Sequence, residues 1–356
     1  MNNGHPELYG LGWCEWFEAR SQCAPGQTIA RVAAVDRELL LLVDPDGPFR
    51  GKLAGSYRHR LAQPQQLPCV GDWVWLEREP GGGLGVVHGV LERRTSLRRK
   101  AAGNPIESQM IAANVDCVVI VQSCHFDFNV KRLERYLVMV MDGGAEPQIL
   151  LTKTDLVEPG VVAAQLAQIR SAGIHAPVAT LSNVTGEGGE ALQRALRPGK
   201  TYCFVGSSGV GKSTLINWLM GRAAQETGAV SATGEGRHIT VRRELIRLAG
   251  GALVIDNPGM REFGIAGAAG GLESSYADIT ARAASCHYRD CSHTGEPGCA
   301  VLAALQSGEL SQEQYESYLK LRAESEFYDM SYAQKRKKDR DFGRFLKSVK
   351  KDFRDD

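Results

Sequence analysis

The stretch GSSGVGKST at 206–214 has the residue types and the spacing to hold a phosphate chain. Gly206, Gly211, Lys212 and Ser213 fill GxxxxGK[ST], with the apolar run TYCFV before it and TLINWLMG, which reads as a helix, after it. That strand and helix are the context the motif requires. Glycine lets the backbone bend tightly, so that amide hydrogens from about Gly209 to Thr214 turn inward at the positive end of the following helix. Ser207, Ser208 and Val210 complete the loop. Lys212 is placed to bridge β- and γ-phosphates and Ser213 to ligate Mg²⁺. The expected ligand is a nucleoside triphosphate with magnesium.

Two further stretches say which nucleotide. LLTKTDL carries Thr152, Lys153, Thr154 and Asp155 in an [NT]KxD pattern. A carboxylate at 155 accepts both N1–H and the exocyclic amine of guanine, a donor pair that adenine lacks. The Lys153 stem is expected along the face of the base, and TLSN, with Ser182 and Asn183, is expected to close over O6 through backbone amides. DNPG at 256–259 fits DxxG after the strand-like GALVI. Asp256 is then expected to hold Mg²⁺ through water, and the Gly259 amide to sense the γ-phosphate.

The elements that must position these loops alternate. VDCVVIVQ reads as a buried strand, VKRLERYLVMVMDG as a helix, PQILLTKTDL as a strand with its loop and VVAAQLAQIRSAG as a helix. TYCFVG and GALVIDNPG then read as further strands. This pattern predicts a mainly parallel sheet with helices on both faces. From about Gln27 to Lys100 the texture is different: short β-like runs (TIARVAAV, ELLLLVD, GDWVWLE, LGVVHGVLE) are separated by DPDGP and EPGGGLG turns. A small barrel is expected there, and both OB and SH3-like barrels fit. Arg58, Arg60, Arg93, Arg94, Arg98, Arg99 and Lys100 flank it, as a solvated face or as phosphate contacts. From about Gly267 the chain reads as helical, apart from a stretch rich in Cys and His.

That stretch holds Cys286, Cys291, His293 and Cys299 as CxxxxCxHxxxxxC. Three thiolates and an imidazole suit tetrahedral Zn²⁺ in a closed, structural site; His287 is an alternative fourth ligand. Six other cysteines are scattered singly and read as buried reduced thiols. The 356 residues carry 42 basic and 41 acidic groups, so net charge excludes little. Residues 335–356, however, concentrate ten Lys or Arg against five Asp, with Phe342, Phe345 and Phe353 interleaved. Such a tail suits RNA phosphates with some stacking. No apolar run is long enough for a membrane helix and the start lacks signal-peptide character, so a cytoplasmic, monomeric protein with no membrane partner is expected.

The order of the motifs is rotated: the guanine-reading loop precedes the phosphate loop. On IAANVDCVVIV, LTKTDL, GSSGVGKSTLIN, GEGRHIT and DNPGMREFG, nearly the whole chain resembles the RsgA (YjeQ) family of circularly permuted GTPases that depend on the small ribosomal subunit. The resemblance implies a multidomain α/β protein. Residues 1–26 would be an N-terminal extension, 27–102 an OB-like β-barrel, 103–266 the permuted GTPase domain, and 267–356 a helical zinc module with a basic tail. It implies GTP hydrolysis stimulated by the small (30S) subunit during its late maturation, with rRNA as a partner. It favours His293 over His287 as zinc ligand, nominates His238 to orient the attacking water where Met260 stands in place of glutamine, and gives Thr240 the Mg²⁺ and γ-phosphate contact. Thr152 in place of the commoner Asn is expected to loosen the guanine loop, and Ile239 departs from the usual Thr. Two rivals are an RNA-binding assembly adaptor with a structural nucleotide, and an ATP-driven nucleic-acid enzyme.

Overall fold

The computed structural model describes residues 5–21, 24, 26–37, 39–61, 64–78, 83–100, 108–227, 243–257 and 269–329. After a short helix, α1 (Glu15–Glu18), five strands form a closed barrel: β1 (Thr28–Asp36), β2 (Leu39–Asp44), β3 (Gly47–Leu53), β4 (Trp73–Arg78) and β5 (Gly85–Val90). Inward-facing residues alternate along β2 and β5, as a pleated strand with one wet face requires. Ala30, Val32, Leu40, Leu42, Val74, Leu76 and Val87 fill the interior. The path runs β1-β2-β3-β5-β4 and closes by pairing β1 with β4. The β3–β5 pair is parallel, and helix α2 (Gly55–Arg60) lies between β3 and β4. This is the Greek-key path of an OB barrel, which decides between the two barrels the sequence allows. Strand β3, GPFRGKL, is poor in strand formers and is held by partners on both sides.

The residues expected as an N-terminal extension pack on this barrel. Leu8, Leu11, Trp13 and Phe17 cluster with Ile29 and Trp73, and Trp13 meets Trp73 edge to face at 4.8 Å.

A two-stranded sheet, β6 (Ser96–Lys100) with β7 (Ser108–Ala113), leads into the α/β region. There follow β8 (Cys117–Ser123), α3 (Val130–Asp142), β9 (Glu146–Thr152), α4 (Pro159–Ser171), β10 (Val178–Leu181), α5 (Gly189–Ala195), β11 (Thr201–Val205), α6 (Lys212–Thr227), β12 (Glu244–Arg247) and β13 (Leu253–Asp256). Strands β10-β9-β8-β11-β13 are parallel neighbours. The apolar run of β8 is buried on both faces: Val118 and Ile120 pack with Leu133 and Tyr136 of α3, while Val119 and Val121 pack with Leu215 and Ile216 of α6. Antiparallel β12 completes this sheet and pairs with β1 at Ala34 and Glu244, so barrel and α/β sheet are one continuous array.

Helices α7 (Ala269–Ser275), α8 (Ala277–Ala283), α9 (Ala300–Ser307) and α10 (Gln312–Asp329) follow. They close around Leu272, Tyr276, Ile279, Val301, Leu310, Tyr318 and Leu321, and reach Val138 of α3. Gly271 permits this approach, since a Cβ there would lie 2.1 Å from the Val138 carbonyl oxygen. No helix among the described residues is long and apolar enough to cross a membrane.

Candidate active site and metal centre

Because β9, β10, β8, β11 and β13 run parallel, the loops that leave them open on one edge of the sheet, where open α/β sheets bind ligands. At β11 the chain turns into the phosphate loop. Gly206 adopts φ 147°, and a Cβ on it would stand 2.2 Å from the Val121 carbonyl oxygen, so only glycine fits between β11 and β8. Gly209 and Gly211 also take positive φ. Ser208, Gly209, Ser213 and Thr214 are exposed, whereas Val210 is buried and anchors the loop. Lys212 starts α6, and its ammonium donates to the carbonyls of Gly206 at 2.7 Å and Ser207 at 2.5 Å. Burial holds this ammonium below its usual range, opposed by the charges of Asp127 and Asp256. Burial in turn raises the Asp256 carboxyl, opposed by Lys212. The lysine and the acid that ends β13 therefore share one site.

The guanine-reading residues stand beside this loop. Buried Thr152, last in β9, places its hydroxyl 2.6 Å from the Val210 carbonyl and 3.1 Å from that of Gln122. The tie expected to be lost with Asn is thus made by a hydroxyl, which has one proton for the two acceptors. Lys153 is left-handed, with φ 59° and ψ 39°, and its ammonium lies 4.7 Å from the ring centroid of Phe126. Thr154 opens a single 3₁₀ turn that presents Asp155 to solvent. Its carboxylate accepts from Ser182 Oγ at 2.6 Å, and that hydroxyl accepts the amides of Val184 and Thr185. Asn183 Nδ2 donates to the Gly211 carbonyl at 3.3 Å. The two loops, distant and reversed in sequence, touch at Thr152–Val210 and Asn183–Gly211. An exposed carboxylate flanks one end of the arrangement, and a helix N-terminus with a lysine stands at the other. His238, Thr240, Gly259 and Met260 lie outside the described residues, as does the basic tail.

Sequence reasoning missed the loop after β8. Phe126, Asp127 and Arg132 border the phosphate loop: Arg132 donates to Ser207 Oγ at 2.5 Å and pairs with Asp127. The only signal was FDFN before a helix with Asn129 at its N-cap. Several arginines read as possible phosphate contacts have partners inside the protein instead: Arg93 pairs with Asp72, Arg94 with Asp116, Arg98 with Asp142, and Arg99 with Gln109.

In the helical region the Sγ atoms of Cys286, Cys291 and Cys299 and one ring nitrogen of His293 lie within 4.8 Å of one another. The Cys286–Cys299 sulfurs are 3.9 Å apart, and His293 Nδ1 is 3.6 and 3.4 Å from those two sulfurs. Ligands at ordinary zinc–sulfur and zinc–nitrogen distances span tetrahedron edges of roughly 3.6–3.8 Å, so the donor set fits a tetrahedral ion. His287 is not in the group and packs edge to face on Tyr288. His293 holds a left-handed φ of 61° and its carbonyl accepts from Tyr315 at 2.6 Å. Cys299 caps α9 through the Leu302 amide, and the Glu296 carboxylate gathers the amides of Ser292, Thr294 and Gly295.

The profile of the RsgA GTPase family matches residues 90–266. The chain is 41% identical to the small ribosomal subunit biogenesis GTPase RsgA of Opitutus terrae, over 90% of each chain. It is 39% identical to the protein of the same name from Streptomyces coelicolor, over 91% of this chain and 88% of that one. Among solved structures it resembles YjeQ from Thermotoga maritima, with a TM-score of 0.62 and 25% identity over 83% of this chain and 97% of that one. It also resembles YloQ, described as a circularly permuted GTPase, with a TM-score of 0.60 and 26% identity over 88% and 100%. With the phosphate loop, the guanine-reading loop and the DxxG strand meeting on one sheet edge in rotated order, the chain belongs to the RsgA family of circularly permuted GTPases.

Proposed function

We propose that this protein hydrolyses GTP while bound to the small ribosomal subunit and its rRNA, and assists a late step in that subunit's maturation. The observation that carries the guanine choice is the pairing of Ser182 with Asp155 beside a loop whose carbonyls are held by Thr152 and Asn183. Asp155 accepts the two guanine donors, the amides of the phosphate loop cradle the phosphates, and Lys212 leaves the loop carbonyls for the β- and γ-oxygens. Ser213 and Thr240 would ligate Mg²⁺, with Asp256 behind it and the Gly259 amide at the γ-phosphate. His238 is the proposed residue that orients the attacking water; its neutral imidazole accepts a proton near pH 7. Cys286, Cys291, His293 and Cys299 would hold Zn²⁺ as a structural ion that fixes the loop between α8 and α9. The barrel, the zinc module and the basic tail are the proposed rRNA contacts, with residues 27–102, 103–266 and 267–356 as three working units.

One assay tests the reading: GTP and ATP turnover with and without purified small subunits, for the wild type and for Lys212→Ala, His238→Ala and Asp155→Asn. Turnover is expected with GTP, stimulated by subunits and lost in Lys212→Ala. His238→Ala should retain GTP binding without stimulation, and Asp155→Asn should shift preference toward xanthosine nucleotides. Equal turnover of ATP and GTP by the wild type would sink the guanine assignment. Absence of stimulation by subunits would favour the adaptor reading.

A further inference from the structure

The loop before α3 and that helix's first turn set a pair of side chains beside the phosphate loop that GxxxxGK[ST] does not call for. Arg132 donates to Ser207 Oγ at 2.5 Å, and the same guanidinium nitrogen pairs with Asp127 Oδ1. Asp127 is 7% exposed, and its Oδ2 is buried without a hydrogen-bond partner. The backbone beneath the pair is fixed twice over. Asn129 caps α3 by accepting the Arg132 amide at 3.0 Å. Fully buried Gln122 brackets Asn129, accepting its amide at 3.0 Å and donating to its carbonyl at 3.1 Å. An arginine held this way by a buried acid has few conformations left to lose, so its bond to Ser207 is preorganised. Ser207 is the residue just after Gly206, where the loop first bends, and its carbonyl is one of the two that receive Lys212. The charge of Asp127 also reaches Lys212, where it opposes the loss of the lysine's proton.

Resting on the reading of this edge as a GTP site, we propose that Arg132 and Asp127 are positioning residues for the phosphate loop: Arg132 braces its first bend through the Ser207 hydroxyl, and Asp127 locks Arg132 in place. The pair then acts on nucleotide affinity through the loop rather than through a direct phosphate contact. The same turn of α3 carries this brace toward the helical module, because Lys131 reaches Ser317 and Glu313, and Arg135 reaches Glu324.

The test is a double-mutant cycle on the full chain, read by the Kd of a fluorescent GDP. Arg132→Ala is expected to weaken binding about tenfold, the scale of one lost charge-assisted hydrogen bond, and Arg132→Lys to recover part of that loss. Ser207→Ala should weaken binding in the same direction and Ser207→Thr, which keeps the hydroxyl, should restore it. Arg132→Ala placed on Ser207→Ala should cost little more. An Arg132→Ala penalty that is unchanged in the Ser207→Ala background would overturn the brace and assign Arg132 to the phosphate itself. Should Arg132→Ala fail to fold, an unchanged Kd in Ser207→Ala overturns the proposal alone. A wild type that binds no GDP, or binds it equally well as Lys212→Ala, sinks the GTP reading and not merely the brace.

Discussion

The α/β sheet is gripped from two sides by different chemistry. On the barrel side, β1 pairs with β12, and Arg31 of β1 is fully buried. Its guanidinium donates to three carbonyls from three segments: Leu11 of the N-terminal stretch at 2.5 Å, Gly71 of the barrel at 3.2 Å, and Asn114 before β8 at 2.9 Å. Burial lowers its pKa to about 10, opposed by the charges of Asp116 and Asp72. On the helical side, α3 meets α7 through a glycine contact and α10 through ion pairs whose members are 20–63% exposed. The first joint is backbone-bonded and dry. The second is a helix packing with an apolar centre and an edge of solvated charge, whose ion pairs cost little to break. Any movement driven from the nucleotide edge is therefore expected at the helical module, with barrel and sheet moving as one body.

The largest expected effect separates the two sides. Structural zinc in small Cys/His sites contributes on the order of 10 kcal/mol at neutral pH. In this protein the helices around the site also bury an apolar core. Chelation, or Cys291→Ser, should open the loop from Cys286 to Cys299 and loosen α9 and α10, while the sheet stays folded. All five tryptophans lie at or before position 218, so helical circular dichroism should fall first and tryptophan fluorescence only later. A single coincident transition would mean that the two joints are equally rigid.

The sequence made some of this legible and concealed the rest for a physical reason. Motifs whose members are close in the chain, GSSGVGKST and the Cys/His stretch, showed both their chemistry and their place. The buried run VDCVVIV announced a central strand because it is apolar on both faces. What stayed hidden depends on contacts between distant segments. Arg31 interrupts the apolar run TIARVAAV with no local partner to mark it as buried, and its three acceptors come from 20, 40 and 83 residues away. The N-terminal aromatics read as an extension because their partner, Trp73, is remote. Strand β3, absent from the strand-like runs of the sequence, is a strand because of its pairing and not its composition. Asp127 and Arg132 escaped notice because the residue they brace, Ser207, occupies a position that the phosphate-loop motif leaves free.

Arg31→Ala sharpens the comparison next. It removes a buried charge and the Arg31 donors of the buried Leu11 and Asn114 carbonyls, while the Gly71 carbonyl keeps the Asn114 side-chain amide, for a loss of roughly 3–5 kcal/mol. Urea unfolding followed by tryptophan fluorescence should show a lower midpoint with a single transition for barrel and sheet together. Two resolved transitions in the variant would show that the barrel can separate from the sheet once this side chain is gone.

The smallest effect is expected at the helical joint. Arg135 and Glu324 are 38% and 20% exposed at 2.7 Å, and Lys131 and Glu313 are 50% and 63% exposed at 3.4 Å. Each such pair contributes about 0.2–1 kcal/mol and weakens with salt. Arg135→Ala should therefore leave the global midpoint nearly unchanged. Its mark should appear in amide exchange, where α10 opens more often while β8 and β11 keep their protection, and raising the ionic strength of the wild type should reproduce part of the change. If Arg135→Ala speeds exchange in β8 as much as in α10, the joint transmits strain into the sheet and cannot be a sliding contact. Exchange faster in α10 alone would mark it as the surface along which the module shifts.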